Sequence, residues 1–273
     1  MATRPRRSCL TVPASSPRML AKAADLPADE VVVDLEDGVA PAEKAAARRN
    51  LGAAAARGTL AIRVNAVGSE WLRDDLAAVA DRRPDVVVVP KAASADDVLR
   101  VAEALPDGVG LEVQIETARG LVQVERIAGV GSPLEALVFG PGDFAASMGV
   151  PVLTIGAGAF DYALSRIAVA ARAYGLQAVD GPYADLGDLD GLRRAAAAAL
   201  GHGFDGKWVL HPAQIEAVND VFTPAADDLA RARRILAAAE GVTLVDGEMV
   251  DEATKRMAAA VLARAGERVP GGE

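Results

Sequence analysis

Eight β-branched or apolar runs alternate along this chain with eight Ala-, Leu- and Arg-rich stretches of helical period, and no other feature restricts its fold as strongly. The strand candidates are residues 9–13, 30–37, 60–65, 85–91, 110–117, 134–143, 176–181 and 207–211. Helical patterns fill the gaps at 17–26, 41–56, 69–83, 94–105, 119–130, 159–174, 188–200 and 212–222. Parallel strands need a crossover between them, and eight such units, over roughly the ~250 residues usual for this architecture, predict a (β/α)8 TIM barrel. An open doubly wound sheet is the structural alternative.

Two of the runs end in a carboxylate. Leu111-Glu112-Val113-Gln114-Ile115-Glu116 closes on Glu116, and Ala136-Leu137-Val138-Phe139-Gly140-Pro141-Gly142-Asp143 closes on Asp143, one βα unit later. Side chains just past the C-termini of neighbouring parallel strands converge on one crevice, so Glu116 and Asp143 are candidate ligands of a single hard cation. Gly140-Pro141-Gly142 reads as a tight turn that brings Asp143 and backbone amides, with Pro141 and Gly142, beside a bound carboxylate. The same rim collects Asp34, Glu36, Asp37, Arg63, Asn65, Lys91, Asp180 and His211. Helix capping or a structural ion pair serves any one of them equally well, and Asp37 and His211 lie close to helix-starting prolines. Their accumulation at strand ends points to chemistry.

Hydrophobic residues make up 51% of the chain but aromatics only 4%, so the interior has to be built from Ala, Val and Leu. The formal charge of −9 provides no broad field for a phosphate backbone, and a nucleic-acid partner is not expected. No run reaches the ~20 apolar residues of a membrane span, and Arg4-Pro5-Arg6-Arg7 lacks a following signal core, so a short mobile arm and a cytoplasmic protein are expected. The lone Cys9 is expected to pack as a small apolar residue in the first strand.

Beyond the repeat, the barrel domain of residues 1–222 gives way to an extension, 223–273, read as helix-turn-helix. Residues 224–241 form a charged helical pattern with acids early and arginines late, residues 242–251 a turn-rich strand, and residues 252–265 a last helix. The closing Val269-Pro270-Gly271-Gly272-Glu273 is expected to be disordered.

Seven motifs in register then carry a resemblance. Val33-Asp34-Leu35-Glu36-Asp37-Gly38-Val39-Ala40 with Lys44 and Arg48, Ile62-Arg63-Val64-Asn65, Val89-Pro90-Lys91, Ile115-Glu116-Thr117-Ala118-Arg119-Gly120, Gly140-Pro141-Gly142-Asp143, Gly206-Lys207-Trp208-Val209-Leu210-His211-Pro212-Ala213-Gln214-Ile215 and Asp246-Gly247-Glu248-Met249-Val250-Asp251 together resemble the citrate lyase beta subunit-like branch of the HpcH/HpaI aldolase/citrate lyase superfamily. The match runs from about Arg7 to Ala265.

This resemblance implies an Mg2+-dependent carbon–carbon lyase, with Mn2+ as a substitute. It would cleave or form a 3-hydroxyacyl-CoA such as malyl-CoA or citramalyl-CoA, with an acyl-CoA and a 2-oxo acid (glyoxylate or pyruvate) as partners and coenzyme A as part of the substrate. Glu116 and Asp143 would bind the ion, and Arg63 would face the reacting oxygen. Glu36, Asp34 and Asp37 would order the metal waters and Arg63. Asp251, delivered by a neighbouring subunit's tail in a homotrimer or hexamer, would be the acid or base, although a plain N-cap of the last helix also accounts for it. Arg18 and Lys22, one turn apart on the first helix, resemble the family's basic residues near the CoA phosphates. The alternatives are a citryl-CoA or citryl-acyl-carrier lyase beta subunit, a malyl-CoA thioesterase, and a non-catalytic assembly subunit.

Overall fold

The computed structural model of the chain describes residues 4–151, 158–239 and 241–267. Two compact units divide it, Met1–Asn219 and Asp220–Glu273. In the first unit eight parallel strands close into a barrel: β1 (Ser8–Pro13), β2 (Glu30–Asp34), β3 (Thr59–Arg63), β4 (Val86–Val89), β5 (Gly110–Ile115), β6 (Leu134–Phe139), β7 (Gln177–Asp180) and β8 (Gly206–Val209). Closure is made by β8 against β1, with Cys9 opposite Trp208 and Leu10 opposite Val209. Strands of a closed parallel barrel are covered on both faces, which is why β4 is four consecutive buried valines.

Helices return the chain between strands: α1 (Pro17–Ala23), α2 (Lys44–Asn50), α3 (Leu72–Arg82), α4 (Ala95–Ala102), α5 (Ala118–Val122), α6 (Val124–Ala128), α7 (Pro141–Ser147), α8 (Asp161–Ala173), α9 (Leu189–Gly201) and α10 (Ala213–Phe222). Several start as their sequences predict. The side chains of Ser16, Ser94, Thr117 and Asp188 each accept a first-turn amide. Among the described residues no helix is long and apolar enough to cross a membrane.

The structure departs from the sequence expectation in three places. The sixth strand ends at Phe139, and Pro141 opens α7, so Asp143 belongs to the first turn of a helix and not to a strand. Proline fixes φ near the helical value and needs no hydrogen-bonded N–H at a helix start, and Gly140 before it ends the strand. The fifth crossover is broken at Gln123 into α5 and α6, and the second begins and ends in 3-10 turns.

The basic arm is the third departure, because Arg6 is a buried plug and not a mobile residue. Period-two alternation places Glu30 and Glu112 on the lumenal face with Val32 and Ala136, and the guanidinium of Arg6 reaches Glu112, Glu30 (3.3 Å), Glu135 (2.6 Å) and Gln177. Arg4 pairs with Asp85 and Glu135, and Arg7 with Asp29. A carboxylate sealed in the floor of a barrel has no other source of neutralisation, and the arm provides it. Cys9 packs as expected, in the lumenal cluster with Val32, Ala61, Val88, Val138 and Trp208.

In the second unit the expected order of helix, turn-rich strand and helix is found: α11 (Ala226–Leu236) and α12 (Glu252–Arg264) flank an antiparallel hairpin of β9 (Thr243–Val245) and β10 (Glu248–Val250). The turn is Asp246-Gly247, both at positive φ, as a two-residue hairpin turn requires. Ala232, Ile235, Val250, Ala258 and Leu262 pack as its core. Residues 269–273, expected to be disordered, lie outside the described residues.

Glu30 carries a pH prediction. Burial first, and then the charge of Glu112, push its carboxyl well above the ordinary range despite Arg6. A raised folded value contributes stability at low pH that is lost as pH rises through it, because the unfolded chain gives up its proton earlier. Glu30→Gln keeps the shape and removes the titration, so its melting temperature should match the wild type below about pH 4 and exceed it increasingly as the pH rises above that. Parallel melting curves across that range, read by circular dichroism, would contradict the assignment.

Candidate active site

At the opposite end of the lumen the charges are organised around Arg63. Asp34 and Arg63 are register partners at the ends of β2 and β3. Both are buried and meet in a two-pronged pair, Nε to Oδ1 at 2.8 Å and Nη2 to Oδ2 at 2.6 Å. The remaining nitrogen, Nη1, lies 3.1 Å from Glu36 and 3.3 Å from Gln114, and the guanidinium stands over the Trp208 ring at 5.5 Å. Three acids around it hold Arg63 charged, raised even against the cost of burial, with Asp34 the largest favourable cause. Asp34 also accepts the amides of Glu36 (2.8 Å) and Gly38 (2.8 Å), which folds the chain after β2 back over the crevice.

A second layer secures that turn. The buried ammonium of Lys44 donates to the carbonyls of Leu35 and Glu36 and to Asn65 Oδ1, each at 2.7 Å. Asn65 is held by Asp75, and Asp75 by Arg48. Burial lowers the Lys44 ammonium towards the neutral form while the nearby Asp34 and Glu36 oppose it.

Glu116 is clamped from two sides. Its Oε1 accepts the backbone amide of Lys91 at 2.7 Å, and a Cβ added at Gly140 would stand 2.2 Å from Oε2. Burial, then the charges of Glu36 and Asp143, push the Glu116 carboxyl up to about 8 although Arg63 opposes the shift. Burial likewise raises Glu36 against Arg63 and Lys91. Lys91 lies among these acids: its Nζ bonds Glu36 and Asp37 (2.8 Å) and stands 3.6 Å from the half-exposed Asp143. Burial of Asp37 is outweighed by the hydrogen bond from Lys91, so its carboxyl is held below the ordinary range.

Asp34, Glu36, Asp37, Arg63, Glu116 and Asp143 are thus brought into one charged network at the C-terminal rim. Pro141 and Gly142 share the first turn of α7 with Asp143. Other expected residues lie elsewhere. Asp180 and Lys207 alternate with the lumenal Val179 and Trp208, so they pair with each other outside the barrel, beneath the helices. His211 accepts the amide of Ala213 through Nδ1 at 3.2 Å, a cap for α10. Arg18 and Lys22 are exposed on α1, and Lys22 borders a cavity of about 130 Å3 with Met19, Leu26 and His211. In the second unit Asp251 caps α12, accepting Thr254 N at 2.8 Å and Oγ1 at 2.9 Å, and those bonds hold its carboxyl below the ordinary range.

The sequence reading missed Gln114 and Trp208 as parts of this site and left Lys91 as one strand-end charge among several. Gln114 was legible, since it lies two residues before Glu116 on the same strand face. The reach of Lys91 was not, because it depends on a left-handed backbone at φ +53 that no residue type announces.

Among the described residues no three His, Cys, Asp or Glu side chains form a metal cage. The donor set fits a hard ion held by two carboxylates with its other positions left to water or substrate: Glu116 is buried with too much negative charge around it, and Asp143 is open to solvent.

The family model described as HpcH/HpaI aldolase/citrate lyase matches residues 7–212. The chain belongs to that family. Its relatives include a (3S)-malyl-CoA thioesterase of Cereibacter sphaeroides, 40% identical over 90% of each chain, and an L-malyl-CoA/beta-methylmalyl-CoA lyase of the same species, 36% identical over 96% of this chain and 95% of the other. A structure of CitE from Mycobacterium tuberculosis in complex with magnesium, acetoacetate and coenzyme A superposes with a TM-score of 0.85 at 36% identity, over 97% of this chain and 99% of that one. In this HpcH/HpaI family member the eight-stranded barrel and the Asp34–Arg63–Glu36 network are the elements that position the crevice.

Gly140 gives the site a packing test. Gly140→Ala drives a Cβ into Glu116, whose own Cβ would be 2.5 Å away, and the backbone of β6 has to move. Overpacking of this kind costs about 1–3 kcal/mol, so urea unfolding should show a loss of that size. An unchanged midpoint would show that Glu116 is not confined by this backbone.

Proposed function

We propose that this protein is a Mg2+-dependent carbon–carbon lyase that cleaves or forms a 3-hydroxyacyl-CoA of the malyl-CoA or citramalyl-CoA type, yielding an acyl-CoA and a 2-oxo acid. The observation that carries the proposal is the pairing of a buried Glu116 with the solvent-facing Asp143 beside a fixed Arg63. The names of the lyase relative and of the magnesium- and CoA-bound CitE support it. Glu116 and Asp143 would hold the ion. Bound there, it would supply Lewis-acid stabilisation of the negative charge that grows on the substrate oxygen.

The residues of the chain divide the rest of the work. Arg63, kept in plane by Asp34, adds a fixed positive charge where the hydroxyl gives up its proton and the carbon–carbon bond breaks. Glu36 and Asp37 hold Arg63 and Lys91 and order water at the rim. The first-turn amides of α7, starting at Gly142, face a substrate carboxylate. The bond's electron pair passes into the thioester enolate, and a proton then returns to that carbon. Asp251, delivered by a neighbouring subunit of a homotrimer or hexamer, is proposed as the group that takes the hydroxyl proton and returns it to that carbon. Its lowered carboxyl suits a base at rest. Arg18 and Lys22 would meet the CoA phosphates. A cytoplasmic location fits a CoA-linked reaction.

The thioesterase relative favours a second reading, in which the same ion and acids direct water at the thioester. Incubation of the purified protein with Mg2+ and malyl-CoA separates the two by mass spectrometry. A lyase releases glyoxylate and acetyl-CoA; a thioesterase releases malate and free coenzyme A.

Glu116→Ala and Asp143→Ala should each abolish Mg2+-dependent turnover while the far-ultraviolet spectrum stays that of a folded barrel, since carboxylates on this rim serve chemistry more than stability. Full activity in either variant, or in the wild type with chelator, would refute the ion site.

Asp251→Asn should keep the cap of α12 and lose the proton-transfer step, a fall on the order of 10²- to 10⁴-fold. Mixing Asp251→Asn subunits with Glu116→Ala subunits should restore part of the activity, because one intact rim then meets one intact tail. Mixed oligomers confirmed by native mass spectrometry but inactive would count against a shared site.

A further inference from the structure

Among the described residues of the crevice, Lys91 alone has a strained backbone, and its strain has a visible purpose. A side chain at φ +53 is uncommon outside glycine, asparagine and aspartate, and such outliers persist where the surroundings over-determine them. Here the left-handed turn lets one residue act twice. Its amide holds Oε1 of Glu116 at 2.7 Å, and its ammonium reaches back across the rim to Glu36, to Asp37 at 2.8 Å and to within 3.6 Å of Asp143. Glu36, Asp37, Glu116 and Asp143 carry up to four negative charges in one crevice, and Arg63 is already committed to Asp34 on two of its three nitrogens. A further cation among them offsets the repulsion within such a group of acids.

We propose that Lys91 is a placeholder cation: its ammonium holds the acidic rim together before a divalent ion arrives and competes with that ion at Asp143 afterwards. This rests on the reading of Glu116 and Asp143 as the ion's ligands. Lys91 is a positioning residue in this scheme, acting through the carboxylates and not on the substrate. It also limits the rim to one ion, because its ammonium occupies the space between Glu36 and Asp37 that a second divalent cation would need.

Two quantities should therefore move in opposite directions when the charge is removed. Lys91→Met keeps the length of the side chain and loses the ammonium. Its metal-free form should melt lower than the wild type by about 3 °C or more, the shift of a modest stability loss in a chain of this size. Its Mn2+ affinity, titrated by electron paramagnetic resonance at low ionic strength, should rise by about tenfold or more, since a charge repelling the ion from a few ångströms has gone. A second Mn2+ per subunit should appear. Lys91→Arg should restore the melting temperature, the affinity and the single site.

Lys91→Gly keeps the amide and relaxes the left-handed backbone, and the same signs are expected of it should the Met variant not fold. Variants that fold only when Mg2+ is added would support the proposal, because the ion then does the lysine's work. Unchanged or weaker Mn2+ binding in Lys91→Met or Lys91→Gly would overturn it, as would failure of both to fold even in Mg2+. A wild type that binds no Mn2+ at all would instead refute the ion site beneath it, a separate and recognisable result.

Discussion

The pair between Arg63 and Asp34 governs the crevice because both groups are buried and neither can move without stranding the other's charge. Asp34 spends its two oxygens four ways, on two nitrogens of Arg63 and on the amides of Glu36 and Gly38. The same carboxylate therefore orients the guanidinium and shapes the turn that carries Glu36. Lys44 locks that turn from behind through the carbonyls of Leu35 and Glu36. A charged group mounted this way cannot relax into a better ion pair when a ligand arrives, which is the condition for preorganised electrostatics to act.

Charge also organises the far end of the barrel, with the opposite result. Arg6 meets Glu30, Glu112 and Glu135, yet both oxygens of Glu30 and one of Glu112 find no hydrogen-bond partner among the described residues. Arg6 is shared among three carboxylates, of which, among the described residues, only Glu135 has a second cation in Arg4, and burial with the charge of Glu112 raises the Glu30 carboxyl well above its ordinary range. At the open end Glu116 lies beside the solvent-facing Asp143, within reach of a cation from outside; at the sealed end the carboxylates have only the arginines of the arm among the described residues. Burial without access makes a structural cluster, and burial beside an opening makes a site.

The alternation of strands and helices was enough to predict the barrel, because each parallel strand demands a crossover and each lumenal position recurs every second residue. Glu36, Arg63 and Glu116 were legible for the same reason: they lie at or just beyond the ends of their strands. Asp143 was legible as a residue but not as a conformation, since an apolar run leading into Gly140-Pro141 can be extended by pattern alone when the proline in fact begins a helix.

What the order of residues determined by itself was the repeat, its caps and which strand ends carry charge, because these follow from local periodicity and local hydrogen bonding. Partnership was decided only by the closed tertiary structure. Asp180 turned away to Lys207 because it sits one residue off the lumenal phase of β7, Arg6 was drawn into the floor by carboxylates more than twenty to more than a hundred positions distant, and Lys91 reached Glu36, Asp37 and Asp143 from a left-handed backbone. Charges find one another through space, and barrel closure sets those distances in ways that separation along the chain does not encode.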